Sequence, residues 1–148
     1  MKIDIVSSQR DELGESPVWD GRTQTLYWID SRRHRVHSLQ PSTGVARDWT
    51  MPHEIGSIAL CESGRLLVAL QTDVHFLDLS SGQLTPLVHI THPADRMRLN
   101  DGRTDRAGRF CLGSLVLGRH EPHGDPEHGQ HQRHLWHKGQ RGLLHGCQ

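Results

Sequence analysis

Three side chains stand out for the chemistry they could do together. Glu15, in GESPVWD, is a carboxylate; Asn100, in RLNDG, is a carboxamide; Arg98, two residues earlier, is a fixed cation. A carboxylate and an amide oxygen that converge are hard donors, suited to Ca²⁺, Mg²⁺ or Mn²⁺. A guanidinium beside them can grip hydroxyls or a carboxylate in bidentate fashion. Eighty-five positions separate Glu15 from Asn100, so any convergence has to come from the fold. On spacing alone a plainer reading competes. Glu15 also reads as a solvated turn residue, and Asn100-Asp101-Gly102 as an ordinary turn.

The elements that would position them are short strands. TLYWID (25–30), RVHSLQ (35–40), SIAL (57–60), LLVAL (66–70) and VHFLDL (74–79) are β-branched or aromatic runs. Turn signals at Asp20-Gly21, Ser42-Thr43-Gly44, Ser63-Gly64 and Ser81-Gly82 separate them. No ten-residue segment carries a capped helical stripe, so the chain reads as all-β.

The strands repeat. With SPVWDGRTQTLYWID set over SIALCESGRLLVALQ and GRTDRAGRFCLGS, the glycines Gly21, Gly64 and Gly108 align at separations of 43 and 44 residues. Gly44 and Gly82 recur 38 residues apart. Four strands in roughly 40 residues is the blade of a β-propeller. The expected architecture is therefore two four-stranded antiparallel blades over about 14–90 and the first half of a third, ending near 118. In this register Trp19, Leu60 and Thr104 close the first strand of each unit, and Glu15, Gly56 and Asn100 lie four residues earlier. Glu15 and Asn100 then share one position at the entry to the innermost strand, where side chains face the central channel, and Gly56 leaves the middle blade empty there.

Composition excludes several other functions. The 148 residues carry 17 basic and 17 acidic side chains, a formal charge of zero, which gives no footprint for nucleic acid. No polybasic block suits an anionic membrane. The longest apolar runs, such as Leu66–Leu70, are far short of the roughly 20 residues of a membrane-spanning helix. The start, MKIDIVSSQR, has no apolar stretch of signal-peptide length, so a cytoplasmic protein is expected. Cys61, Cys111 and Cys147 form neither a disulfide framework nor a zinc motif. Cys111, in an apolar strand, is expected to be buried. Tyr27, Trp19 and Trp28 read as blade packing, and Asp30 and Asp105 as turn or blade contacts. No Ser-His-Asp arrangement with a strained nucleophile turn is present, which disfavours a serine lactonase.

The chain changes character near residue 118. Residues 119–148 hold 7 of the 13 histidines and five apolar residues, with no sustained period and hence no face to bury. This segment is expected to be irregular and exposed. It reads either as a natural tail or as the product of a reading-frame slip that truncates the protein. His128, His131, His134 and His137 recur every third residue, but adventitious Zn²⁺ or Ni²⁺ binding is the expectation without an ordered scaffold.

GESPVWD (14–20), LYWIDS (26–31), IGSIAL (55–60) with SGRLLVAL (63–70), and RLNDGRTDRAGRFCLGS (98–114) together resemble the SMP-30/gluconolactonase/LRE-like family, which includes regucalcin. The likeness spans residues 10 to about 118. It implies a six-bladed propeller of roughly twice this length, with one divalent metal in the channel and hydrolysis of sugar lactones or related esters. The resemblance makes Glu15 a metal ligand and Arg98 and Asn100 substrate contacts. The family's other two ligands, an Asn and an Asp that also serves as general base, belong to later blades. The tail has no asparagine, and its aspartate, Asp125, matches no family motif. Two functions stay open. One is a metal-dependent lactone hydrolase in truncated, weakly active or inactive form, using Ca²⁺, Zn²⁺, Mn²⁺ or Mg²⁺. The other is a non-catalytic β module that binds a divalent cation or small sugar acid and self-associates through open blade edges.

Overall fold

The computed structural model describes residues 3–117, and their regular structure is all strand. Strands β1 (Gly14–Asp20), β2 (Thr25–Asp30), β3 (Arg35–Gln40) and β4 (Val45–Thr50) form one antiparallel sheet in chain order. Strands β5 (Ile55–Leu60), β6 (Leu66–Leu70), β7 (Asp73–Leu77) and β8 (Leu84–His89) form a second. Strands β9 (Met97–Thr104) and β10 (Phe110–Val116) pair as the start of a third. These are two blades and half of another. Residues 119–148, with their histidines and Asp125, lie outside the described residues.

The middle blade explains why its sequence is so apolar. Successive side chains of a strand point to opposite faces, and here both faces are covered. Leu66, Val68 and Leu70 pack toward the first blade, in a cluster with Tyr27, Ile29, Val36, Ile55 and Ile58. Leu67 and Ala69 pack the other way, with Cys61, Phe76, Leu99 and Phe110. All five residues of β6 are buried, so LLVAL reads as an unbroken run rather than an alternation. Burying each such side chain contributes about 1.5–3 kcal/mol. The outer strand β4, VARDWT, is largely exposed and correspondingly polar.

Backbone hydrogen bonds repeat from blade to blade. The Ile55 N–H donates to the Ser31 carbonyl at 3.4 Å, and the Leu99 N–H donates to the Gln71 carbonyl at 2.6 Å. Each bond ties the start of an inner strand to the end of β2 or β6 in the preceding blade. Ser31 Oγ adds a donation to the Ile55 carbonyl at 2.6 Å. On the far side of the first blade, residues 7–13 run across β2 and β3. Trp28 Nε1 donates to Asp11 Oδ2 at 2.7 Å, and the Trp28 ring stacks on His37.

The turns correct part of the repeat. Gly64 and Gly108 have φ of 81° and 76°, a left-handed conformation that suits glycine. Gly21 does not; in the first blade Gln24 takes that place, with φ 52°. The equivalent turn residues are thus 40 and 44 positions apart. Gly44 and Gly82 are equivalent as expected. Both have positive φ, and their N–H groups close on the Gln40 and Asp78 carbonyls. Two packing expectations also fail. Cys111 is exposed, because it sits on the face of β10 away from the second blade. Trp19 is 47% exposed, whereas Tyr27 is in the core.

Candidate functional site

The site is built from a backbone irregularity shared by all three inner strands. In the first blade Gly14 pairs with Asp30 and Val18 with Tyr27, four steps against three. In the second, Ile55 pairs with Leu70 and Ala59 with Leu67. In the third, Leu99 pairs with Ser114 and Arg103 with Cys111. Each inner strand therefore carries one extra residue, a β-bulge, in the same stretch: between Glu15 and Val18, between Ile55 and Ser57, and between Leu99 and Gly102. Bulges re-aim side chains and break regular pairing. Glu15, Gly56 and Asn100 are equivalent positions at these irregularities, as the repeat predicts; Glu15 still pairs with Ile29 just before its bulge, whereas Gly56 and Asn100 have no ladder partner. The shifted turn glycine does not disturb this equivalence, because Trp19, Leu60 and Thr104 pair with the equivalent residues Leu26, Leu66 and Phe110, although the first ladder runs one pair further, to Asp20 and Thr25.

Gly56 is required at its position by close approach. A Cβ there would lie 2.4 Å from the Asn100 carbonyl oxygen and 2.7 Å from that of Leu99. The β5 backbone rests directly on the bulge of β9, which brings Asn100 toward the middle blade.

The bulges open onto one cleft of about 630 Å³, lined by Glu15, Ser16, Gly56, Asn100, Asp101 and Gly102 among others. Glu15 and Asn100 thus share a wall-to-wall space. Arg98 does not line it. The Arg98 side chain is buried, with Nε 3.1 Å from Glu54 Oε2 and one terminal nitrogen donating to the Leu99 carbonyl at 2.9 Å. Its charge sits behind the strand, paired with a half-buried carboxylate.

Ser16 and Asp101 also line the cleft, and sequence reasoning gave neither a role. Ser16 has φ 52°, a strained value for a residue with a Cβ. Its Oγ accepts the Ile58 N–H at 3.1 Å, a bond from the first blade to the second. Asp101 Oδ1 accepts the Gly102 N–H at 2.8 Å. The signal was present in the repeat: the column after Glu15, Gly56 and Asn100 reads Ser16, Ser57 and Asp101.

Nearby carboxylates hold turns, as expected. Burial pushes Asp30 up, but N–H donors from Glu12, Arg33 and Leu13 outweigh it and leave the carboxyl below its usual range. Asp105 is lowered by the Arg109 backbone and side chain. These bonds brace the turn from β9 to β10.

Glu15 and Asn100 supply oxygen donors of the kind a hard divalent cation takes. Among the described residues no group of three or more His, Cys, Asp or Glu side chains is placed to hold a metal. Donors to complete a shell at Glu15 would have to be water, amide oxygens or residues outside those described.

The family model described as "SMP-30/Gluconolactonase/LRE-like region" matches residues 13–139. The chain belongs to the SMP-30/gluconolactonase/LRE-like family. Among relatives, it is 40% identical over 114 residues to the 6-deoxy-6-sulfogluconolactonase of Pseudomonas putida, covering 76% of this chain and 39% of that one. It is 34% identical to the L-arabinolactonase of Azospirillum brasilense, covering 80% and 39%. Among solved structures, a calcium-binding protein, regucalcin, from Agrobacterium tumefaciens superposes with a TM-score of 0.70 at 22% identity, covering 76% of this chain and 38% of that one. This likeness supports the propeller-type fold. The chain spans about two fifths of the length of these family members. No helix among the described residues is long and apolar enough to cross a membrane.

Proposed function

We propose that the cleft between the bulges is part of a metal-dependent lactone-hydrolysing site acting on sugar lactones. The observation that carries this reading is that Glu15 and Asn100, 85 residues apart in sequence, stand at equivalent positions beside the strand irregularities and line one cleft. The lactonase names of its relatives support the substrate class.

In this reading Glu15 is a ligand to one divalent cation, and Asn100 presents its amide to the cation or to the substrate beside it. A cation bound there would polarise the lactone carbonyl and stabilise negative charge on its oxygen. Arg98 is the proposed clamp for sugar hydroxyls. To reach them its guanidinium has to exchange Glu54 for substrate, and until then Glu54 holds it buried and aligned. Gly56 lets the β5 backbone rest against the β9 segment that carries Asn100. No general base is assigned to the described residues. Turnover by this 148-residue chain is therefore expected to be about 10²–10⁴ below that of a full-length relative.

The test is an assay of the purified chain with a sugar δ-lactone and added Ca²⁺, Zn²⁺, Mn²⁺ or Mg²⁺, beside Glu15→Gln. Slow, metal-dependent turnover lost in Glu15→Gln is the expected result. Cation or sugar-acid binding without turnover would favour the non-catalytic β module. Absence of both binding and turnover would refute the site.

A further inference from the structure

The bulge column Ser16, Ser57, Asp101 contains an asymmetry that the repeat makes visible. At the first junction Ser16 Oγ accepts the N–H of Ile58 in the next blade. Ile58 and Gly102 are equivalent, pairing with Val68 and Leu112 respectively. The equivalent bond at the second junction would run from the Gly102 N–H to Ser57 Oγ. It is not made. Gly102 donates to Asp101 Oδ1 instead, and Ser57 Oγ is fully buried without a hydrogen-bond partner. Yet Ser57 lies against Gly102: a Cβ on that glycine would be 2.7 Å from Ser57 Oγ.

A buried hydroxyl left unpaired is costly, and here the residue whose N–H would be its equivalent donor lies against it. We propose that Ser57 and Asp101 alternate as acceptors of the Gly102 N–H, and that the exchange releases the Asp101 carboxylate into the cleft as a further ligand for a divalent cation. The inference rests on the cation site proposed at Glu15. Asp101 and Glu15 are the two carboxylates among the lining residues. With no cation, Asp101 is occupied by the backbone. With one bound, Ser57 takes over the N–H, as Ser16 already does for Ile58, and no backbone donor is stranded. The exchange moves a single side chain and one hydrogen bond and leaves the ladder pairing of β9 with β10 unchanged.

The experiment is a Ca²⁺ titration of the full 148-residue chain, followed by calorimetry and by the Gly102 amide resonance. In the unmutated chain Ca²⁺ is expected to shift that amide. In Asp101→Ala the amide is expected to sit at its Ca²⁺-saturated position before any cation is added, and affinity to fall about tenfold. Ser57→Ala removes the substitute acceptor and is expected to weaken Ca²⁺ about fivefold, the cost of one unpaired N–H expressed as affinity. Glu15→Gln is the control. If it abolishes binding while the Asp101 and Ser57 variants keep full affinity, the exchange is refuted and the cation site stands. If Glu15→Gln binds as well as the unmutated chain, the cation site itself is wrong. Absence of Ca²⁺ uptake by the unmutated chain would overturn both.

Discussion

The two junctions between blades use the same backbone plan with different closures. Between the first and second blades, Ile29, Val36, Ile55, Ile58 and the side of β6 that carries Leu66, Val68 and Leu70 fill the interior, and Ser16 adds a hydrogen bond across the junction. Between the second and third, smaller residues such as Ala59, Cys61 and Ala69 let the inner strands approach until Gly56 touches the Asn100 carbonyl. There the cross-blade serine is left open. The first junction is fastened by polar and apolar contacts together. The second combines apolar contacts with close backbone approach, and its bulge adds Asn100 and Asp101 to the polar groups that line the cleft. A repeated unit can thus keep one backbone plan and close its two interfaces differently.

The largest effect should come from the approach itself. Gly56→Val places a side chain where no Cβ fits and is expected to cost roughly 3 kcal/mol or more, read by urea denaturation. A near-neutral result would mean that β5 and β9 are not in contact. Next come the two faces of β6. Leu66→Ala and Leu67→Ala should each cost about 2–5 kcal/mol, with Leu66 the larger because its cluster contains more large side chains. Reversal of that order would show the second junction to be the stronger. A smaller and sharper contrast is expected at the serines. Ser16→Ala loses a made hydrogen bond, about 1 kcal/mol, whereas Ser57→Ala loses none and should be neutral or slightly stabilising.

The most gradual effect is one of pH. The Asp30 carboxyl lies below the ordinary 3.8 in the folded chain, so its ionised form stabilises the fold at neutral pH. That contribution is present above the unfolded value and is lost as pH falls through the lower folded value. Because Asp30 accepts the Glu12 and Leu13 N–H groups, amide exchange at those two residues should accelerate first on acidification, before the junctions open. Uniform acceleration along the chain would show that Asp30 does not act locally.

Much of this was legible from residue order. Short β-branched runs with glycine turns identify strands, and their recurrence identifies blades. The pairing of Glu15 with Asn100 followed from counting back from the strand ends. The count survived an error in the turn, since Gln24, not Gly21, is the left-handed residue: paired positions within the ladder, not loops, carry the register. Arg98 was read as a substrate contact from its motif, two residues before Asn100; in the fold its charge is taken by Glu54 from the preceding segment, a partner that the motif does not reveal.

The sequence by itself determined the class of structure, the repeat and the equivalence of Glu15, Gly56 and Asn100, because these depend on periodicity and local turn chemistry. Only the tertiary structure decided what those positions do. Whether an extra residue becomes a bulge depends on the partner strand's count. Whether Gly56 is a gap or a contact depends on the next blade. Whether Ser16 and Ser57 are bonded or orphaned depends on which donor reaches them across a junction. Each outcome is set by distances between residues about 40 positions apart, which no local pattern encodes.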